Sequence, residues 1–504
     1  MHKTTFVLLL MVWSFHSTQA QTEDPPLELS EEQLLEDLEF IAKKLEYFSS
    51  YQGLNGYSYR DDLQAYFTAQ SSTLTPTDIS KLGLFLTETI GKIGDRHAYV
   101  RGYMDDEHKF LPFTAAPYDE KVLALQYDQS LKKFHPISDE FPYLKAINHI
   151  AIEDFQKQII PEEIKAPPQA YYTRYVEMLK YIERNHRLLQ RPLPDPCSFT
   201  FTNFEKDTTV VLNLANDPKL HPIWKEKFDA FAHSAEELND STIAQNYFHL
   251  DSNGIAHIYI PEMLNEKKAP QFFKTLHAFM QQIQSSKALI LDVRSNSGGR
   301  RHLILELAKY IVHPDSIHVV NVAHHRSEGR ISARTIRSLN RRSLYAMNTF
   351  DKQEQQAIRH FLETFKPMYK LSEKRFSEPY FTLFNGAKLS LGAYHYNKPV
   401  YLITNERSFS AASVFAATFK GLPNVHLVGT TTDGSSGNSE KYYLPHSKIR
   451  VKLSTMVSFQ KDGQLLDGYG TKPDIEISRS LQQVLWEEDN QLQQLKEMIL
   501  SNKQ

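Results

Sequence analysis

Four short stretches of this 504-residue chain carry residue types that could form and break acyl bonds. The first is Ser408-Phe409-Ser410, set between an apolar run (residues 399–404) and an Ala/Val/Phe-rich run (residues 411–420). A serine at such a strand-to-helix turn holds its hydroxyl at a helix N-terminus, where outward N–H groups and the helix dipole favour negative charge. That arrangement suits a nucleophilic serine beside an oxyanion site. Serine is equally a favoured helix cap, so this stretch alone leaves both readings open.

The second stretch, residues 289–300 (LILDVRSNSGGR), is an apolar strand ending in Asn-Ser-Gly-Gly. In open α/β sheets the carboxyl ends of strands are where ligands bind, and glycines there let a substrate carbonyl come close. Gly298 and Gly299 are candidate oxyanion donors, against the plainer reading of a glycine-rich turn. The third, residues 93–99 (IGDRHAY), puts His97 on a turn, not on an apolar helix face. A histidine is the usual general base because it titrates near neutrality. The fourth, residues 462–476, carries Asp467 before Gly-Tyr-Gly. It could deliver a carboxylate, or simply make a hairpin turn.

These stretches need elements to position them. Ser30-Glu31-Glu32-Gln33 reads as a capping sequence before Leu34, Leu38, Ile41 and Leu45 at helical spacing. Further helices are expected over residues 61–70 and from Thr77 or Asp78 through Ile90, giving a helical N-terminal region that ends at the histidine turn. Residues 121–126 and 208–214 alternate as strands do, with a helix over residues 168–185 and a polar connection over residues 216–242. No glycine occurs between Gly102 and Gly254, so tight turns and glycine-lined ligand loops are hard to place there. From residue 247 strands and helices alternate: strands at 255–260, 288–293, 400–403 and 425–429, helices at 270–283 and 303–312. That rhythm implies an α/β sheet covered by helices. An insertion at about residues 324–396 interrupts it. The insertion begins with clustered arginines (Arg326, Arg330, Arg334, Arg337, Arg341, Arg342), read as a solvated face or as a lid over a carboxylate. A last helix is expected over residues 480–500.

Composition sets the bounds. The chain is 41% hydrophobic and 23% charged with a net charge of −3, which gives no sign of a nucleic-acid or membrane-surface partner. Its length implies two or three domains. Residues 1–20 read as a secretory signal peptide: a charged start, an apolar stretch too short to span a bilayer, and small residues at a cleavage point. No later stretch is long and apolar enough for a membrane helix. Export, periplasmic or extracellular, follows as an expectation. The single cysteine, Cys197, excludes an internal disulfide framework and reads as structural. The histidines lack accompanying ligands at useful spacing, so neither a metal nor another cofactor is expected.

Taken in order, LILDVRSNSGG, the SFSAAS turn, NVHLVGTTT and DGYGTKPDIEI resemble the C-terminal processing peptidases, or tail-specific proteases. The IGDRHAY histidine is similar to that of their tricorn-like branch. The resemblance implies a crotonase/ClpP-like α/β peptidase core over residues 241–480, after an N-terminal helical domain (21–103) and a degenerate PDZ-like domain (104–240). The last of these rests on residues 141–158, FPYLKAINHIAIEDFQKQ, which resemble the PDZ strand and helix but lack a glycine-containing carboxylate loop.

Carried over by residue, the resemblance makes Ser410 the nucleophile and Ser408 a spectator, with Ala411 joining Gly298 or Gly299 in the oxyanion hole. The processing peptidases proper use a lysine base about twenty-five residues later. Here that position is Ser435. The tricorn-like branch implies His97 as base and places Asp467 where a glutamate is usual. The implied activity is hydrolysis of peptides or unfolded proteins through Ser410, His97 and Asp467. A binding homologue that has kept the cleft without activity is the alternative.

Overall fold

The computed structural model describes residues 28–501 apart from 74, 104–106, 160–164, 228–239, 328–330 and 391–392. The expected signal peptide lies outside the described residues.

The central sheet has the order Phe248–Leu250, Ile255–Tyr259, Ala288–Asp292, Val400–Thr404, Val425–Gly429, Ile475–Glu476. The first pair is antiparallel and the rest are parallel. Every residue of Ile255–Tyr259, Ala288–Asp292 and Val400–Thr404 is buried, which is why these runs read as continuous apolar stretches. Helices Pro270–Gln282, His302–Ile311 and Ala411–Phe419 share one apolar core with one face of the sheet. Leu492 and Leu495 of the C-terminal helix cover the other.

The N-terminal helices form as expected. Ser30 and Gln33 make a reciprocal capping box on Glu31–Phe48, and Asp78 caps Ile79–Ile93. Gly94, at φ 79°, ends that helix and releases the chain into the histidine turn. A strand follows that the sequence did not suggest. Tyr99–Arg101 pairs antiparallel with Arg450–Ser454, fastening the N-terminal unit to the C-terminal half.

The middle unit is a seven-stranded sheet that includes Tyr143–Ile147, Lys121–Asp128 and Cys197–Thr202, with helices Ile152–Ile159, Pro168–Met178 and Ile182–Leu188. The helix expected over 168–185 is thus two. Cys197 is fully buried, its thiol donating to the Pro194 carbonyl at 2.8 Å, a structural placement. The arginine-bearing insertion is partly absorbed into a sheet, because Tyr380–Asn385 pairs with Ile317–His325.

The C-terminal helix is interrupted as well. Leu481–Val484 and Asn490–Leu500 are separated by Trp486, whose φ is 66°. Trp486 packs edge-on against Phe134 of the middle unit (centroids 4.8 Å apart) and donates its indole N–H to the Lys225 carbonyl at 2.8 Å. Burial of an indole against another unit outweighs continuation of the helix. Trp486→Ala is expected to destabilise this junction by about 3 kcal/mol, seen in differential scanning calorimetry as earlier melting of the middle unit.

Candidate active site

The site begins where two neighbouring parallel strands end. After Val400–Thr404, the Asn405 side chain accepts from the Ser295 N–H (2.7 Å) and donates to the Ser295 hydroxyl (3.0 Å). Ser408 is wholly buried; its hydroxyl donates to the Val293 carbonyl (2.8 Å) and accepts from the Asn405 N–H (3.1 Å). The Phe409 N–H donates to the Asn296 carbonyl at 2.8 Å. The two strand-end turns are therefore laced together, and Ser408 is committed to that lacing.

Ser410 stands at the N-cap position of Ala411–Phe419 with φ 55° and ψ −116°, and its hydroxyl makes no capping bond. A non-glycine residue in this region carries of order 1–3 kcal/mol of strain that its surroundings must hold. The helix-cap reading therefore does not describe this side chain.

Gly298 faces it. A Cβ on Gly298 would stand 2.7 Å from the Ser410 Cβ and 3.0 Å from the Ala411 nitrogen, so only a bare Cα fits. The three expected oxyanion donors differ in what they have free. The Gly298 N–H donates to the Asn296 side chain at 2.8 Å. The N–H groups of Gly299 and Ala411 have no acceptor among the described residues. Gly299 is held by a bridge to Met263.

His97 reaches the site from the N-terminal unit. The Asp95 carboxylate accepts from the His97 N–H (3.0 Å), the Ser454 N–H (2.7 Å) and the Ser454 hydroxyl (2.7 Å), tying the turn to the C-terminal half. The imidazole packs on the Phe409 ring, centroids 5.4 Å apart, next door to Ser410. Its Nδ1 is buried without a partner. Burial, then the positive charges of Lys452, Arg96 and Arg342, push its pKa down to about 3; the Gly437 backbone beside it works the other way.

Asp467 is buried nearby, but its bonds go elsewhere. Its carboxylate accepts from the Ser436 N–H (3.0 Å), the Ser436 hydroxyl and the Tyr51 hydroxyl (2.6 Å). No hydrogen bond joins it to His97 among the described residues. Burial raises its pKa to about 6 against the pull of the Ser436 and Tyr51 bonds, with the nearby Asp95 charge adding to the rise.

The loop at residues 430–438, of which the sequence singled out only Ser435 as a site position, meets Ser410, His97 and Asp467. Asp433 donates its N–H to the Ser408 carbonyl (3.1 Å) and pairs with Arg96 of the histidine turn (2.5 Å), both side chains buried. Ser435, at the place of the family's lysine, accepts from the Ser410 N–H at 2.7 Å. Ser436 holds Asp467, and Gly437 lies beside His97. The run of Asp, Gly and Ser marks a loop. Its partner Arg96, 337 residues away, left no local signal.

Residues 254–477 match the family model of peptidase family S41. The fold is similar to that of mature CPAF, with a TM-score of 0.60 at 14% identity over 94% of this chain and 98% of that one. Mature CPAF complexed with lactacystin gives 0.59 at 15% identity, over 94% and 99%. A protein of Chlamydia muridarum (strain MoPn / Nigg) described as uncharacterized is 32% identical over 85 residues, which span 16% of this chain and 14% of that protein.

Two substitutions test the geometry. Gly298→Ala should lower the reactivity of Ser410 toward a fluorophosphonate by about 10²-fold, because the new methyl displaces the serine turn. Asp433→Asn leaves Arg96 buried without its counter-charge and should cost about 3 kcal/mol in chemical denaturation.

Proposed function

From the match of residues 254–477 to peptidase family S41 we propose that the chain is a serine peptidase of that family, an exported endopeptidase working through Ser410, His97 and Asp467. The observation that carries this reading is the serine turn: a strained serine at a helix N-terminus whose hydroxyl is not used as a cap, packed against a bare glycine.

In this mechanism the Ser410 hydroxyl attacks the scissile carbonyl while His97 takes its proton and later returns it to the leaving amine. The oxyanion is met by the Ala411 and Gly299 N–H groups, whose donors are otherwise unused. Gly298 serves by its lack of a side chain. The low pKa of His97 keeps the imidazole neutral, hence able to accept a proton, throughout the working pH range. Asp467 acts through Ser436 and the adjoining Gly437, stabilising the imidazolium without a direct bond. Peptides or unfolded proteins are the substrates. The middle unit is a degenerate PDZ-like scaffold, and residues 1–20 direct export. Among the described residues no helix is long and apolar enough to cross a membrane.

A fluorophosphonate probe should label the protein at Ser410, and both Ser410→Ala and His97→Ala should lose the label; a folded wild-type protein that resists the probe at every pH defeats the reading. The pH profile tests the acid. His97, with a pKa of about 3, stays neutral as pH falls, whereas Asp467, near 6, becomes protonated. Its support for the imidazolium is then lost, so kcat/KM for a peptide substrate should fall as pH drops through about 6. Asp467→Asn should give a low rate without that limb. A limb unchanged in the variant assigns it to another group.

A further inference from the structure

A cleft of about 870 Å³ opens beside the histidine turn, walled by helix Ile79–Ile93, helix Pro168–Met178 and strand Tyr99–Arg101. Phe409 and Asp95 line it, so it leads to the serine and histidine turns. Arg101, Arg174 and Arg450 line it too. Arg101 and Arg450 stand directly opposite each other on antiparallel strands, where like charges repel. Both guanidinium groups lie over the Tyr99 ring, 4.6 and 5.6 Å from its centroid, which presents them together on one side of the cleft.

None of these three arginines has an ion pair or a side-chain hydrogen bond among the described residues, and the Arg450 Nε is buried without a partner. The acids of the same cleft are already engaged: Glu177 by Arg407 (2.7 Å), Asp433 by Arg96 (2.5 Å), Glu406 by Thr173 (3.0 Å) and Arg479, and Asp95 by Ser454 (2.7 Å). Glu88 also has a partner. Burial, with the charge of Arg96 next, lowers the Arg174 pKa to about 10 against the pull of Asp433 and Glu177, with Arg101 adding to the fall. Like charges gathered without ion-pair partners of their own in an open cleft are relieved when an anion enters, and guanidinium forks match a carboxylate well.

We propose that this cleft binds a carboxylate of the peptide substrate through Arg101, Arg174 and Arg450. The carboxylate is either an Asp or Glu side chain or the chain's C-terminus, which share the same chemistry. The choice of a peptide as ligand rests on the peptidase reading; the test is a binding measurement that does not need turnover.

Four fluorescein-labelled nonapeptides, with Glu or Gln at the centre and a free or amidated C-terminus, are titrated by fluorescence anisotropy into the Ser410→Ala protein, which leaves them intact. The peptide carrying the right carboxylate should bind about tenfold more tightly than the fully neutral one, and the pair of contrasts tells which carboxylate is read. Adding Arg101→Gln and Arg174→Gln should abolish that advantage and leave neutral-peptide binding unchanged. The melting temperature should not fall, because a repulsive pair has been relieved; a purely structural role for the arginines would lower it. Equal binding of all four peptides, binding of none, or an advantage that survives in the variant overturns the proposal. A carboxylate preference in a protein whose wild-type Ser410 resists fluorophosphonate keeps the cleft and rejects the peptidase mechanism.

Discussion

The buried Arg96–Asp433 ion pair holds the site together. It joins the turn that carries His97 to the loop that buttresses Ser410, across 337 residues of chain. A buried pair adds little net stability, because removing two charges from water nearly cancels their attraction. What it enforces is registry: any slip of the N-terminal unit leaves two unpaired charges in the interior. The neighbouring Asp95–Ser454 bonds and the strand pairing of Tyr99–Arg101 with Arg450–Ser454 repeat the constraint with neutral partners.

With the histidine side fixed, the rest of the site follows from close packing at two strand ends. Ser295, Asn296, Asn405 and Ser408 exchange hydrogen bonds that leave the chain no relaxed path through Ser410, and the positive φ there is the result. The same lacing brings Gly298 against Ser410 so closely that no side chain fits. Strain at one residue is thus sustained by many ordinary bonds around it.

Electrostatics divides the groups around this centre. Burial lowers the pKa of His97 and raises that of Asp467, so the imidazole stays neutral while the carboxylate is held close to its titration range. Both shifts arise because the loop at residues 430–438 and the N-terminal unit seal the turn region from water. On its outer side the same junction leaves Arg101, Arg174 and Arg450 facing an open cleft, without an ion pair among the described residues. Exclusion of water within and unbalanced charge without are two consequences of one docking arrangement.

Much was legible in sequence because it is local. The buried parallel strands read as apolar runs, the N-terminal helices announced themselves by Ser30, Gln33 and Asp78, and the glycines after Asn296 marked a close approach. Ser408 and Ser410 could be told apart only by resemblance; in three dimensions one is bonded into the strand ends and the other is not. The break at Trp486, the strand at residues 99–101 and the partners of Asp467 were invisible, because each depends on a surface supplied by a distant segment. Local hydrogen bonding and side-chain periodicity determine the elements and the residue types offered for chemistry. Which N–H stays free, which carboxylate meets which hydroxyl and which arginine lacks a partner are decided by long-range packing, since those properties belong to pairs of residues and not to any one position.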